Sequence, residues 1–154
     1  MNPPSSTLLD RRFAILVSRY NESITGKLLA GAVDTFSNAG FAEDAVDVFW
    51  VPGAWELSVA AAPLARSKKY AGVVCLGAVI KGETTHDQHI NRQLSVTLGQ
   101  IAVETEVPVL MGVLTVNSLE QAIARSGGAV GNKGVEAAEA ALEMAGLMQR
   151  LRQI

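Results

Sequence analysis

The chain has 154 residues, the size of one domain with a single core. Thirteen basic residues against fifteen acidic ones give a formal charge of −2, which argues against a nucleic-acid protein or a polybasic membrane anchor. A hydrophobic share of 49% argues against disorder, and a single cysteine leaves no intramolecular disulfide or cysteine-built zinc cage and fits a reducing, cytoplasmic setting.

Residues 1–11 are polar and carry Pro3-Pro4, so they read as a flexible arm without the apolar run of a signal peptide. No stretch reaches the ~20 apolar residues of a membrane helix. Residues 12–154 read as one domain. Arg12–Ser18 is a continuous apolar run, the mark of a buried parallel strand. Ile24, Leu28, Leu29, Ala32, Val33 and Phe36 recur at helical spacing, and Gly40 supplies the stop for a helix over Ile24–Ala39. Val46–Val51 predicts a second strand, closed by Pro52-Gly53. Ala54–Lys68 predicts a helix kinked near Ser58–Val59, because Pro63 removes a backbone donor.

Gly72–Ile80 is the most hydrophobic segment and predicts the central strand, with close backbone packing at its glycines. Ile90, Leu94, Leu98 and Ile101 predict a helix over about Asp87–Glu104, and Pro108 opens a fourth strand, Val109–Val116. Ser118-Leu-Glu-Gln121 is a capping box that starts a short helix ending near Arg125. Gly127–Gly131 breaks the chain. A last helix over about Asn132–Arg152 is expected to turn Val135, Ala138, Leu142, Ala145, Met148 and Leu151 inward.

Strands alternating with helices imply crossover units. The expected fold is a three-layer α/β sandwich with a four-stranded parallel sheet in order 2-1-3-4. Ligands of such sheets bind beyond the carboxyl ends of the strands. That rule selects Arg19–Asn21, Pro52–Glu56, Lys81–His86 and Val116-Asn117.

Lys81-Gly-Glu-Thr-Thr-His86 joins a strand to a helix. Free N–H groups and the helix dipole make such a start an anion site, although an ordinary turn and N-cap is an equal alternative. His86 is the leading candidate for proton transfer, since imidazole changes charge near neutral pH. A metal site built from His86, Asp87 and His89 lacks an evident further ligand, and His89 reads as a surface or interface residue. Tyr20 and Trp55 follow strand ends, where an aromatic ring either stacks on a planar ligand or seals the core. Glu56 either accepts ring N–H groups or complements its helix start. Arg125 and Lys133 flank the glycine-rich loop, where cations either hold a phosphate or are simply solvated. Cys75 reads as an inert core residue.

Together these segments resemble the lumazine synthase family over about Phe13–Leu151. The motifs that carry the resemblance are Ser18-Arg-Tyr-Asn21, Val51-Pro-Gly-Ala-Trp-Glu56, Leu76-Gly-Ala-Val-Ile-Lys-Gly-Glu-Thr-Thr-His86, Met111-Gly-Val-Leu-Thr115, Glu120-Gln-Ala-Ile-Ala-Arg125 and Gly131-Asn-Lys-Gly134 with Glu136-Ala-Ala138. Each is weak alone; the six in order are specific. The resemblance implies a flavodoxin-like fold and a transferase of riboflavin biosynthesis that needs neither metal nor organic cofactor. Its reaction condenses 5-amino-6-(D-ribitylamino)uracil with 3,4-dihydroxy-2-butanone 4-phosphate to 6,7-dimethyl-8-ribityllumazine, releasing phosphate and water.

The resemblance also implies roles. Tyr20 would stack on the pyrimidine, and Ala54, Trp55 and Glu56 would line the ribityl and pyrimidine site. Ala78, Val79 and Ile80 would offer backbone groups to the ring. Glu83 and Thr84 would give N–H groups to the phosphate, helped by Arg125 with Lys133 nearby. His86 would transfer protons. Met111 and Arg125 would reach the site from a neighbouring subunit, so the expected assembly is a pentamer or a 60-subunit icosahedral shell able to enclose a partner enzyme such as riboflavin synthase. The sequence departs from the family at Tyr20, Trp55, Met111 and Asp87-Gln-His89. A non-catalytic binder on the same scaffold would need neither His86 nor Arg125, and a flavodoxin-like electron carrier would need a phosphate loop that Ser18–Ser23 does not supply.

Overall fold

The computed structural model describes residues 2–154. Strands β1 (Arg12–Ser18), β2 (Val46–Val51), β3 (Tyr70–Ile80) and β4 (Val109–Val116) form one sheet in order β2-β1-β3-β4. Every pairing in it is parallel. The expected strand order and fold class are therefore the observed ones. Alternation along the strands builds two cores. Phe13, Ile15 and Val17 of β1 and Val74, Leu76 and Ala78 of β3 face helices α2 (Glu22–Asn38) and α6 (Lys133–Leu151). Ala14, Leu16, Val73, Cys75 and Val79 face helices α3 (Leu57–Arg66) and α4 (His86–Thr105). Parallel strands covered on both faces read as unbroken apolar runs, and β3 is buried along nearly its whole length.

The first core is anchored by Phe13, Phe36 and Phe41, whose ring centroids lie 4.9–5.8 Å apart, with Phe41 edge-on to the other two. Such pairs add about 0.5–1.5 kcal/mol each beyond burial. Both central glycines of β3 are tight. A β-carbon on Gly72 would lie 3.2 Å from the Phe13 ring, and one on Gly77 would lie 3.1 Å from Ser18 Oγ.

Several details differ from expectation. The arm is not loose throughout, because α1 (Ser6–Leu9) forms with Ser5 as its cap and buries Leu8 in the first core. The segment after β2 opens with a 3₁₀ turn over Ala54–Glu56 before α3 begins, with Pro63 inside the helix. On α6 the buried stripe is Gly134, Ala137, Ala138, Ala141, Leu142 and Ala145, while Leu151 is exposed. Small residues let α6 approach α2, so its inward face follows alanine and glycine rather than the largest side chains. Gly127–Gly131 is more than a break: β5 (Ser126–Gly128) and β6 (Gly131–Asn132) pair as a small antiparallel hairpin between α5 (Leu119–Ala124) and α6.

At the amino end of the sheet, Asp47 joins three strands. Its Oδ1 accepts from Arg12 at 2.7 Å and its Oδ2 from the Tyr70 hydroxyl at 2.6 Å. These two hydrogen bonds hold the Asp47 carboxyl below its ordinary range, that from Arg12 foremost. Burial, and then the bond to Asp47, pushes the Tyr70 phenol up.

Candidate functional site

The carboxyl ends of the strands are stitched together by backbone bonds. Arg19 N–H donates to Val51 at 2.8 Å, Tyr20 N–H to Pro52 at 2.9 Å and Lys81 N–H to Val116 at 2.8 Å. Asn21 adopts a left-handed conformation, φ 63° and ψ 47°, which asparagine tolerates better than most residues. From there its Nδ2 donates to the Ala78 carbonyl at 3.0 Å, fixing the β1–α2 turn against the end of β3.

These turns and the start of α4 enclose a cleft of about 900 Å³, within the usual size range of small-molecule sites. Tyr20, Ala54, Trp55, Glu56, Ala78, Val79, Ile80, Thr84 and His86, all singled out from sequence, line it. Tyr20 and Trp55 are 74% and 53% exposed, so neither ring seals the core. Ala54, Ala78 and Val79 are buried and form the floor. Glu83 stands exposed in the same turn but does not line the cleft.

Met111, Arg125 and Lys133 do not line the cleft of their own chain. Met111 is half-buried on β4, paired with Cys75 and packed toward the second core. Arg125 is exposed at the end of α5, and its carbonyl accepts from Lys133 N–H at 2.9 Å, so these two cations stand on one short loop.

Three further lining residues were named from sequence but not assigned to the cleft. Asp87, His89 and Ile90 follow His86 on the first turn of α4. The three-residue spacing of His86 and His89 is the signal that places both on one helix face. His89 Nε2 lies 3.4 Å from Thr85 Oγ1. Asp87 also faces the cleft, and its Oδ1 is buried without a hydrogen-bond partner among the described residues. Among the described residues, no three His, Cys, Asp or Glu side chains group as metal ligands.

The start of α4 has free donors. Thr84 Oγ1 accepts from His86 N–H at 3.3 Å, while among the described residues the N–H groups of Glu83, Thr84 and Thr85 have no protein acceptor. A 20-residue helix stands behind them, so this corner favours an anion. A second cleft, about 750 Å³ between residues 2–5 and α6, lies away from the strand ends.

The cleft thus combines exposed aromatic rings, a half-buried carboxylate, an imidazole and an anion corner at the ends of parallel strands. No described helix is long and apolar enough to cross a membrane. The model of the 6,7-dimethyl-8-ribityllumazine synthase family matches residues 10–149, nearly the whole chain. The chain therefore belongs to the 6,7-dimethyl-8-ribityllumazine synthase family, transferases of riboflavin biosynthesis.

Proposed function

We propose that the protein condenses 5-amino-6-(D-ribitylamino)uracil with 3,4-dihydroxy-2-butanone 4-phosphate to 6,7-dimethyl-8-ribityllumazine. The observation that carries this reading is the meeting, in one cleft, of a ring-binding wall and an anion corner with His86 beside it. In this account Tyr20 and Trp55 flank the pyrimidine, and Glu56 accepts from its polar edge. Ala78, Val79 and Ile80 form the floor; the Ala78 carbonyl already accepts from Asn21, so one of its two lone pairs is engaged. Glu83 and Thr84 give N–H groups to the phosphate.

The reaction joins an amine to a carbonyl, expels water and phosphate, and closes a ring. Holding two substrates in one cleft replaces a bimolecular encounter with an oriented one. The helix-start N–H groups offset charge on the departing phosphate. His86 passes protons between the amine and the leaving groups, a contribution of about 10²–10⁴-fold for general acid–base catalysis.

The active form in this reading is an oligomer, a pentamer or a larger shell, in which Met111, Arg125 and Lys133 complete a neighbour's cleft. Two observations support it. Those residues do not line their own cleft, and edge strand β2 leaves Val48, Phe49 and Trp50 more than one-third exposed, an apolar edge that a lone subunit would leave uncovered. The reading also includes a cytoplasmic location and room inside a shell for a partner such as riboflavin synthase. Mixing the two substrates with the protein and following lumazine absorbance above the uncatalysed rate tests the activity. Sedimentation velocity tests the assembly.

A further inference from the structure

The helix that carries His86 is tied to the turn that carries Trp55 by one side chain. Gln93 lies two turns into α4. Its Nε2 donates to the Trp55 carbonyl at 3.0 Å. Its Oε1 accepts from the hydroxyl of Ser58, on the first turn of α3, and lies 3.2 Å from Thr97 Oγ1. Both ends of the amide are therefore engaged. A hydroxyl hydrogen on one side and a carbonyl oxygen on the other admit only this orientation of the amide. Ser58 is buried, and a buried hydroxyl needs such a partner. Trp55 lies in the 3₁₀ turn ahead of α3, and its indole projects where solvent reaches it, so its placement depends on how its backbone is held.

We propose that Gln93 is a positioning residue that sets the Trp55-Glu56 turn against the His86 end of α4. The inference rests on the functional reading above for its consequence in catalysis, but not for its geometry. The anion corner is built from the backbone of α4 and the turn before it, and the helix has its own anchors: Leu94, Leu98 and Ile101 are buried, and Asn91 Oδ1 accepts from Thr115 at 3.1 Å. Losing Gln93 therefore loosens the ring-binding wall and leaves the phosphate end in place. The two substrates should feel the change unequally.

Trp50 and Trp55 are the two tryptophans of the chain, so a Trp50→Phe background leaves Trp55 as the only indole reporter. In that background Gln93→Met removes both ends of the amide, while Gln93→Glu keeps an acceptor for Ser58 but cannot donate to the Trp55 carbonyl. Urea unfolding checks that each variant folds. Both should shift Trp55 emission and its acrylamide quenching. Both should raise KM for the ribitylaminouracil about fivefold, while KM for the butanone phosphate and kcat stay within about twofold. Unchanged emission in both variants, equal rises in both KM values, or wild-type behaviour of Gln93→Glu overturns the proposal. A wild-type protein without turnover would contradict the functional reading instead, and the emission comparison would then decide the role of Gln93 by itself.

Discussion

Gly134 of α6 sits directly against the carbonyl of Leu28 in α2: a β-carbon on Gly134 would lie 2.0 Å from that oxygen. The two helices cross at a point where only a hydrogen atom fits. The obstacle is backbone, so no side chain can rotate away. Asn132 locks the same crossing, since its Oδ1 accepts from Gly134 and Val135 N–H at 2.8 and 3.2 Å and its Nδ2 donates to Lys27 at 3.1 Å.

Gly134→Ala should therefore destabilise the protein by about 3 kcal/mol or more, the upper range for overpacking. Gly26→Ala, at a position of α2 with open space around it, should be neutral or stabilising by up to ~1 kcal/mol. Urea denaturation of the two variants checks the pair. Equal effects would contradict the crossing geometry.

The Arg12–Asp47–Tyr70 cluster predicts a pH dependence with a definite sign. The folded Asp47 carboxyl titrates below its unfolded value, about 3.9. Its contribution is fully present above that value and is lost as pH falls through the folded pKa. The stability gap between wild type and Asp47→Asn should thus be constant near neutrality and shrink below about pH 4. For Tyr70 the shift is upward, so its contribution holds below about pH 10 and fades as pH rises further. Chemical denaturation at several pH values tests both limbs, and a gap that does not change with acid would contradict the assignment to Asp47.

Cys75 lies at the centre of β3, fully buried, with its thiol pushed up to about 12 by burial. Thiolate is the reactive form, so a disulfide reagent at pH 8 should leave the folded protein untouched and label one thiol per chain in urea. Rapid labelling of the folded protein would show that the second core opens locally.

How much of this was legible in the sequence depends on what each segment is made of. β2 and β4 occupy the expected residues because apolar runs end at proline or at a polar turn. Of the residues expected inward on α6, Leu151 is exposed and Val135 and Met148 are only half-buried, because close packing on α2 selects small residues, while hydrophobicity alone selects large ones. The β5–β6 hairpin left no pattern, since Gly127 and Gly131 take positive φ values that read only as breaks. At Ser118 the cap formed as expected, but Gln121 reaches Asn117 N–H at 2.8 Å, one residue earlier than the capping box implies. In the cleft, the segments at the strand ends were found from topology. Asp87 and His89, weighed from sequence only as a metal pair or a surface residue, line the cleft because their orientation depends on where α4 begins, at His86.

The shared-site reading gives a prediction that does not depend on knowing the assembly size. His86→Ala and Arg125→Ala should each be severely impaired alone. When the two variants are unfolded together and reassembled, some clefts combine His86 from one chain with Arg125 from the other. Random mixing then restores about one-quarter of wild-type activity if the site is shared between subunits. No recovery would mean that both residues serve the same chain's cleft.

The central claim is that this cleft makes the lumazine with His86 as its proton carrier. The most direct measurement is turnover of the two substrates by wild type and by His86→Ala, followed by lumazine absorbance with the uncatalysed rate subtracted. The account predicts clear acceleration by wild type and a fall in kcat of about 10²-fold or more in the variant, with KM values little changed. An unchanged kcat in His86→Ala would remove the proton-transfer role, and no acceleration by wild type would contradict the account as a whole.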